Sequence, residues 1–332
     1  MRGSSAMSPG APVSVVIPYY RGEERLARAL RSVERQTLRP REIVLVDDGS
    51  PQPLRPETYA AEVTVPLRVV THPRNRGIPA ARNSGVRAAA GEWIAFLDQD
   101  DEWSPGKLER QWRCLREAPR PELTVVYGRC RVAREAAPGD GWLHPPAAAV
   151  ARTERNPAMT LMLDGNVVPW ITLLLHRGVF ERHGALDEAL TGGSDDYELV
   201  LRLAAEGLAF RCADEPRGGG HSAAHYLTGS NYSDPERFFA DEVVLLQALC
   251  RRYPALEPLR EKSLARAHYR LARSYDGSGA PDRALSHHRM ARALDPSWPA
   301  PWAALAIHHA PGALAGWLAL ARGSARRLRG RA

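Results

Sequence analysis

The chain has 332 residues, 44% hydrophobic and 25% charged, with a formal net charge of +7. This is globular composition, long enough for two domains or for one large domain with an appendage. Nearly all the cationic side chains are Arg, a bias that fits a GC-rich genome and makes no case for nucleic acid; a basic surface does suit a polyanion such as a nucleotide diphosphate.

Cys114, Cys130, Cys212 and Cys250 lack metal-ligand spacing, which argues for a reduced, cytoplasmic compartment without a disulfide framework. Residues 1–11 (MRGSSAMSPGA) are small and polar without an apolar core, so they read as a disordered N-terminus or tag and not as a signal peptide. Residues 13–17 (VSVVI) are a near-continuous β-branched run, the mark of a strand covered on both faces. Residues 23–36 then show helical period, with Leu26, Ala29, Leu30 and Val33 on one side. Residues 42–46 predict a second buried strand, closed by Asp47-Asp48-Gly49-Ser50, and residues 67–71 a third. An Ala-rich helix over 78–90 ends at Gly91, and residues 94–97 form a fourth short strand. Strand–helix alternation with short connections implies βαβ units and a parallel sheet. A G-x-G-x-x-G is missing after the first strand, as is a P-loop, which argues against a dinucleotide fold and a nucleoside-triphosphatase.

The fourth strand runs directly into Asp98, Asp100 and Asp101. Ligands of open α/β sheets bind at that end of the strands. Carboxylates gathered there repel one another unless a cation sits between them, and Mg²⁺ typically takes one or two carboxylates plus substrate phosphates. Further on, residues 124–132 predict a strand, 133–158 a long loop, and 168–176 another strand. Ser194-Asp195-Asp196 opens a helix whose Leu199, Leu201 and Leu203 face inward, with Ser194 or Asp195 as its cap.

Four segments in order carry a resemblance: VSVVIPYYRGEERLARALRSVERQT, EIVLVDDGSP, NRGIPAARNSGVRAAAGEWIAFLDQDDEW and SDDYELVLRLAAEG. Residues 13–203 resemble the family 2 glycosyltransferases with the GT-A fold. The resemblance implies a Rossmann-like α/β domain with a mostly parallel sheet flanked by helices. It also implies a metal-dependent, inverting transfer of sugar from a nucleotide-sugar, usually a UDP-sugar, to a hydroxyl of a saccharide or small-molecule acceptor. By the same resemblance Pro18 and Tyr20 lie against the donor's base and Asp48 recognises it. Arg82 approaches the diphosphate. Asp98 and Asp100 match a D-x-D that holds Mn²⁺ or Mg²⁺, with Asp100 the more direct ligand. Asp196 matches the catalytic base, with Asp195 secondary to it. The family's later Arg or His is matched best by His225, with His221 as second choice; neutral imidazole ligates Mn²⁺. Chemistry supports the scheme, because a metal neutralises the departing diphosphate while a carboxylate opposite takes the acceptor's proton. A competing reading is a catalytically degenerate scaffold that recruits partners.

The domains expected are 1–11 disordered, 12–237 the GT-A domain, and 238–332 an all-helical C-terminal region. In that region Ala272, Tyr275, Ala284, His288, Ala291 and Pro296 have tetratricopeptide-like spacing. It offers a surface for a homo-oligomer or a protein partner. Residues 298–321 carry no formal charge, but their Ala, Pro and His content favours a soluble helical hairpin over a membrane span. Arg322, Arg326, Arg327, Arg329 and Arg331 offer a peripheral contact with anionic lipid at the inner face of a membrane.

Overall fold

The computed structural model describes residues 11–59, 63–134, 137–190, 193–215, 220–227 and 235–308. The expectations for residues 1–10 and for the Arg-rich tail lie outside them. The chain divides into two compact units, Met1–Leu161 with Asn166–Ser230, and Met162–Gly165 with Asn231–Ala332.

The first unit opens with β1 (Ala11–Tyr19), α1 (Glu23–Glu34), β2 (Pro40–Asp47), β3 (Leu67–Thr71), α2 (Ile78–Ala88) and β4 (Trp93–Phe96). Val15, Val16, Ile17, Ile43, Val44 and Leu45 are wholly buried, so β1 and β2 are covered on both faces as their apolar runs require. Helix α1 buries Leu26, Ala29, Leu30 and Val33, with Glu23 and Glu24 in its first turn and Arg31 in its last, which complements the helix dipole. Helix α2 comes unusually close to β1. A Cβ at Gly85 would sit 2.3 Å from Val16 Cγ1, so only glycine fits there.

The unit continues with β5 (Glu102–Trp103), α3 (Lys107–Arg116), β6 (Thr124–Tyr127), β7 (Cys130–Arg134), β8 (Ala137–His144), α4 (Ala147–Arg155) and α5 (Pro157–Asp164), the last of which crosses into the second unit. Then come β9 (Leu174–His176), α6 (Gly178–His183), α7 (Asp195–Ala205), β10 (Ala209–Cys212) and β11 (Ala223–Leu227). The large sheet has the order β10-β6-β9-β4-β1-β2-β3. Its neighbours are parallel except around β9, which is antiparallel to both β4 and β6. This is the α/β, mostly parallel architecture that the sequence predicts. The chain moves from β1 to β2 and β3 on one side, then returns to set β4 on the other side of β1. The order therefore reverses beside β1, where open α/β sheets place their ligands.

Three expectations are corrected here. Residues 133–158 are not a long loop, since they contain β8, α4 and the start of α5. Pro and Gly among them suggested a loop, but Ala, the best helix former, is also abundant there and prevails in α4. Residues 124–132 are not one strand. The run breaks at Gly128, where a Cβ would meet Ser222 Oγ at 2.3 Å, and β6 and β7 join different sheets. Residues 168–176 are not one strand either. Pro169 starts a 3-10 turn over Trp170–Thr172, closed by Thr172 N–H donating to the Pro169 carbonyl, and only the last three residues are extended. An apolar run cannot by itself separate these cases. The smaller sheet has the order β5-β11-β7-β8.

The second unit contains α8 (Pro235–Arg252), α9 (Arg260–Ser278), α10 (Pro281–Leu294) and α11 (Pro299–His308). Ala265, Ala267 and Ala272 of α9 and Ala284 and Ala291 of α10 are wholly buried, small side chains that let helices approach closely. Among the described residues, no helix is long and apolar enough to cross a membrane. All four cysteines are free.

Candidate active site

At the end of β1, Pro18 stays in register with Val46 while Tyr20 is exposed. Tyr20 N–H donates to Gln99 Oε1 (2.8 Å), and Gln99 Nε2 donates to the Arg21 carbonyl (2.7 Å). Gln99, the middle residue of Asp98-Gln99-Asp100, thus ties the loop after β1 to the end of β4. Its role is invisible in sequence, where it is only the unnamed position of a D-x-D. An open cleft of about 560 Å³ adjoins this loop, lined by Tyr19, Arg21, Gly22, Glu24, Ser50 and Pro51.

At the end of β2, Asp47 closes its own turn by accepting from the backbones of Ser50 and Leu54. Asp48 is buried and binds three donors. His72 Nδ1 (2.7 Å) and Arg76 N–H (3.0 Å) reach Oδ1, and Gly77 N–H (2.8 Å) reaches Oδ2. Ser84 Oγ lies 2.9 Å from His72 Nε2 and fixes the ring. A carboxylate offers about four lone-pair directions, so one on Oδ2 is left for a further donor.

Arg82, in α2, is the centre of the site. Its Nη2 donates to Asp98 Oδ1 (3.0 Å) after β4, and its Nη1 to Asp195 Oδ2 (2.7 Å) at the start of α7. The guanidinium lies 4.2 Å from the centre of the Trp170 ring, which packs in turn on Phe96. Burial opposes its charge, and the charges of Asp98, Asp195 and Asp196 outweigh that penalty and hold it more firmly protonated than usual. A buried cation with planar, forked donors suits two carboxylates at once.

Asp196 is half-buried. Its Oδ2 accepts from Asn166 Nδ2 (3.0 Å) and its Oδ1 from the Tyr197 backbone (2.6 Å). Burial raises its carboxyl above the ordinary range, and the Asp195 charge adds to this against the opposing pull of Arg82. Asp195 and Asp196 sit in the first turn of α7, where the dipole favours negative charge. The expected cap is not formed. Ser194 is the N-cap residue without a side-chain cap bond, and Asp195 is turned to Arg82 instead.

Asp98 and Asp100 are half-buried, and the Asp100 carbonyl accepts from Arg28 Nη2 (2.7 Å). Asp101 is wholly buried and accepts from His225 Nδ1 (3.0 Å) and the Tyr226 backbone (2.9 Å). Burial pushes the Asp101 carboxyl up to about 6 despite the imidazole beside it. Burial also works against charge on His225, but the hydrogen bond and charge of Asp101 prevail and raise it to about 9. Both groups are therefore charged at neutral pH. His225 also feels Asp98 and Asp100, yet these three do not bring donor atoms within 4.8 Å of one another. At His221 it is the backbone carbonyl that is engaged, accepting from Ser104 Oγ and Arg110 Nη2. Asn166, His72 and Trp170 are site residues that the sequence does not point to, and Asp101, expected among the carboxylates after β4, is instead the buried partner of His225.

The profile of glycosyl transferase family 2 matches residues 14–165. The succinoglycan biosynthesis protein ExoO of Rhizobium meliloti is 30% identical over 276 residues, which cover 79% of this chain and 75% of that protein. The chain belongs to glycosyl transferase family 2. An uncharacterized glycosyltransferase of Haemophilus influenzae is 26% identical over 195 residues, 58% of this chain and 62% of that one. One of Rickettsia felis is 29% identical over 195 residues, covering 58% of this chain and 32% of its own length. The chain thus spans less than two thirds of the length of these two relatives. Two solved structures share its GT-A fold. S. aureus TarS 1–349 in complex with UDP-GlcNAc has a TM-score of 0.56 at 15% identity, covering 86% of this chain and 92% of that one. The mannosyltransferase PcManGT of Pyrobaculum calidifontis, in complex with GDP-Man and Mn²⁺, has a TM-score of 0.57 at 18% identity, covering 96% and 87%.

Proposed function

We propose that this family 2 chain is a metal-dependent inverting glycosyltransferase that moves a sugar from a UDP-sugar to a hydroxyl of a saccharide or small molecule, in glycan or glycosylated natural-product biosynthesis. The observation that carries this reading is Arg82. It draws Asp98 and Asp195 to one guanidinium, beside Asp196, where the strand order reverses. Pro18 and Tyr20 then flank the base, and Asp48 receives a base N–H on its remaining lone pair. The oxygen donors of Asp98 and Asp100 fit Mn²⁺ or Mg²⁺, hard cations that take carboxylates and phosphates. His225, whose Nδ1 is held by Asp101, is the weaker metal candidate: as an imidazolium it would meet an oxygen of the diphosphate, and only its neutral form would ligate a cation. When bound, such an ion neutralises charge on the departing diphosphate.

The chain's own groups do the rest. Asp196, as the ionised base, takes the acceptor hydroxyl's proton while that oxygen attacks the anomeric carbon from the face opposite the diphosphate, which inverts the centre. Asn166 and the Tyr197 backbone keep the carboxylate turned to that task. Arg82 allows acidic groups to stand this close by offsetting their repulsion.

A degenerate scaffold is not favoured. A half-buried carboxyl with a raised protonation range costs stability that a partner-recruiting domain has no use for. The Arg-rich tail is a candidate contact with anionic lipid for a cytoplasmic enzyme, and the helical unit a candidate surface for a protein partner. Calorimetric titration with UDP, with Mn²⁺ and with EDTA, tests the donor site. Binding that disappears in EDTA supports the reading, and binding of equal strength without metal overturns the metal-bridge role.

A further inference from the structure

The helical unit carries a second polar cluster that the transfer reaction does not use. Asp276 lies near the end of α9, His288 in α10 and His308 at the end of α11. Each oxygen of the Asp276 carboxylate meets one imidazole. Oδ2 is 3.1 Å from His288 Nε2, and Oδ1 is 2.9 Å from His308 Nε2. The three donor atoms lie within 4.8 Å of one another. Among the described residues, no other set of three His, Cys, Asp or Glu side chains has this convergence.

His288 is wholly buried, and its Nδ1 has no partner. A buried imidazole held by one shared carboxylate has little to offset its lost hydration, since His308 takes the other oxygen of Asp276. The two Nε2 atoms and the carboxylate converge, so a cation among them would bind all three at once, while Nδ1 of His288 stays outside the site. Zn²⁺ binds His nitrogen and carboxylate oxygen at about 2.0–2.2 Å, so tetrahedral ligands stand roughly 3.3 Å apart. The separations seen are close to that. His308 and Asp276 are partly exposed, which leaves room for water in the remaining position.

Each ligand comes from a different helix, and the last helix is the one in need of anchoring. The buried residues of α11 are Pro301, Ala304 and Leu305, a small apolar contribution. One opposing charge stands near: Arg273 Nη1 is 3.9 Å from Asp276 Oδ2, on a largely exposed side chain that water screens.

We propose that Asp276, His288 and His308 form a Zn²⁺ site that fastens α11 to the α9–α10 hairpin. The site is independent of the proposed donor-site metal, and its test separates the two. The full chain, stripped of metal, is titrated with Zn²⁺ and, in parallel, with Co²⁺ while visible absorption is read. Tetrahedral Co²⁺ with nitrogen ligands absorbs strongly, whereas a six-coordinate oxygen site absorbs weakly. Asp100→Asn should keep one bound Zn²⁺ and the strong Co²⁺ bands. His308→Ala and Asp276→Asn should each lose both, with far-ultraviolet circular dichroism unchanged. Asp276→Asn keeps the size of the side chain, so it serves if His308→Ala loosens the helix. Zinc should also raise the melting temperature of the wild-type chain and not that of His308→Ala. Zn²⁺ binding that survives both substitutions, or no Zn²⁺ bound by Asp100→Asn, overturns the proposal.

Discussion

Arg82→Met is the most informative single perturbation. The Met side chain is similar in length and apolar, so the packing against Trp170 is largely kept, while the charge and all five donors vanish. Two carboxylates lose their partner: Asp195, whose side chain is 4% exposed, and Asp98, at 19%. Removing one member of a buried ion pair costs roughly 3–5 kcal/mol, chiefly from the charge left behind. Asp195 should carry most of that, because water reaches Asp98 more easily. Urea unfolding at neutral pH, followed by Trp fluorescence, reads the loss in the transition of the first unit. The double variant Arg82→Met/Asp195→Asn should recover about 1–3 kcal/mol, the range of coupling between residues in contact. Arg82→Lys should fall between, because a single ammonium cannot span both carboxylates as the fork does. A loss below about 1 kcal/mol for Arg82→Met, with the double variant simply additive, would show that the bridge contributes little and that other forces hold the acidic motifs together.

Three further outcomes are expected. Asp196→Asn should slow transfer by roughly 10²–10⁴ while UDP binding persists, the contribution of a positioned base; unchanged turnover moves the base elsewhere. The kcat/KM profile should lose rate as pH falls through a value above the ordinary carboxylate range, because burial raises the Asp196 carboxyl and only its ionised form accepts a proton; a limb at the usual aspartate position refutes this. Gly85→Ala should destabilise the first unit by about 1–3 kcal/mol, the usual cost of overpacking, since its Cβ meets Val16 Cγ1 at 2.3 Å; an unshifted urea midpoint sinks the close-packing argument.

The fold was most legible where local pattern and burial agree. Strands β1, β2 and β4 are covered on both faces, so their apolar runs could hardly be anything else. Helix α1 is half-covered, and its 3.6-residue period follows from that. Residues 133–158 differ from the expected loop because their signals conflict. Ala147 and its neighbours favour helix, yet the Pro and Gly around them suggested a loop. The turn at Trp170 depends on Pro169 and on Thr172 bonding back to it, which an apolar run conceals.

The site was legible as a set of motifs and illegible as a network. Arg82 and Asp195 are 113 residues apart, and nothing in either segment names the other. Asp101 looked like one more acid in a turn, though it is the buried partner of His225. That network changes how substitutions must be read. Because Arg82 serves both Asp98 and Asp195, neutralising either one releases part of the guanidinium toward the other and alters the field at Asp196. A slow Asp195→Asn variant is therefore no proof that Asp195 touches the reacting atoms. Asp196, by contrast, is held by Asn166 and the Tyr197 backbone. A rate defect at Asp196 without loss of stability, set beside a stability defect at Asp195, would separate the base from the residue that anchors its neighbour.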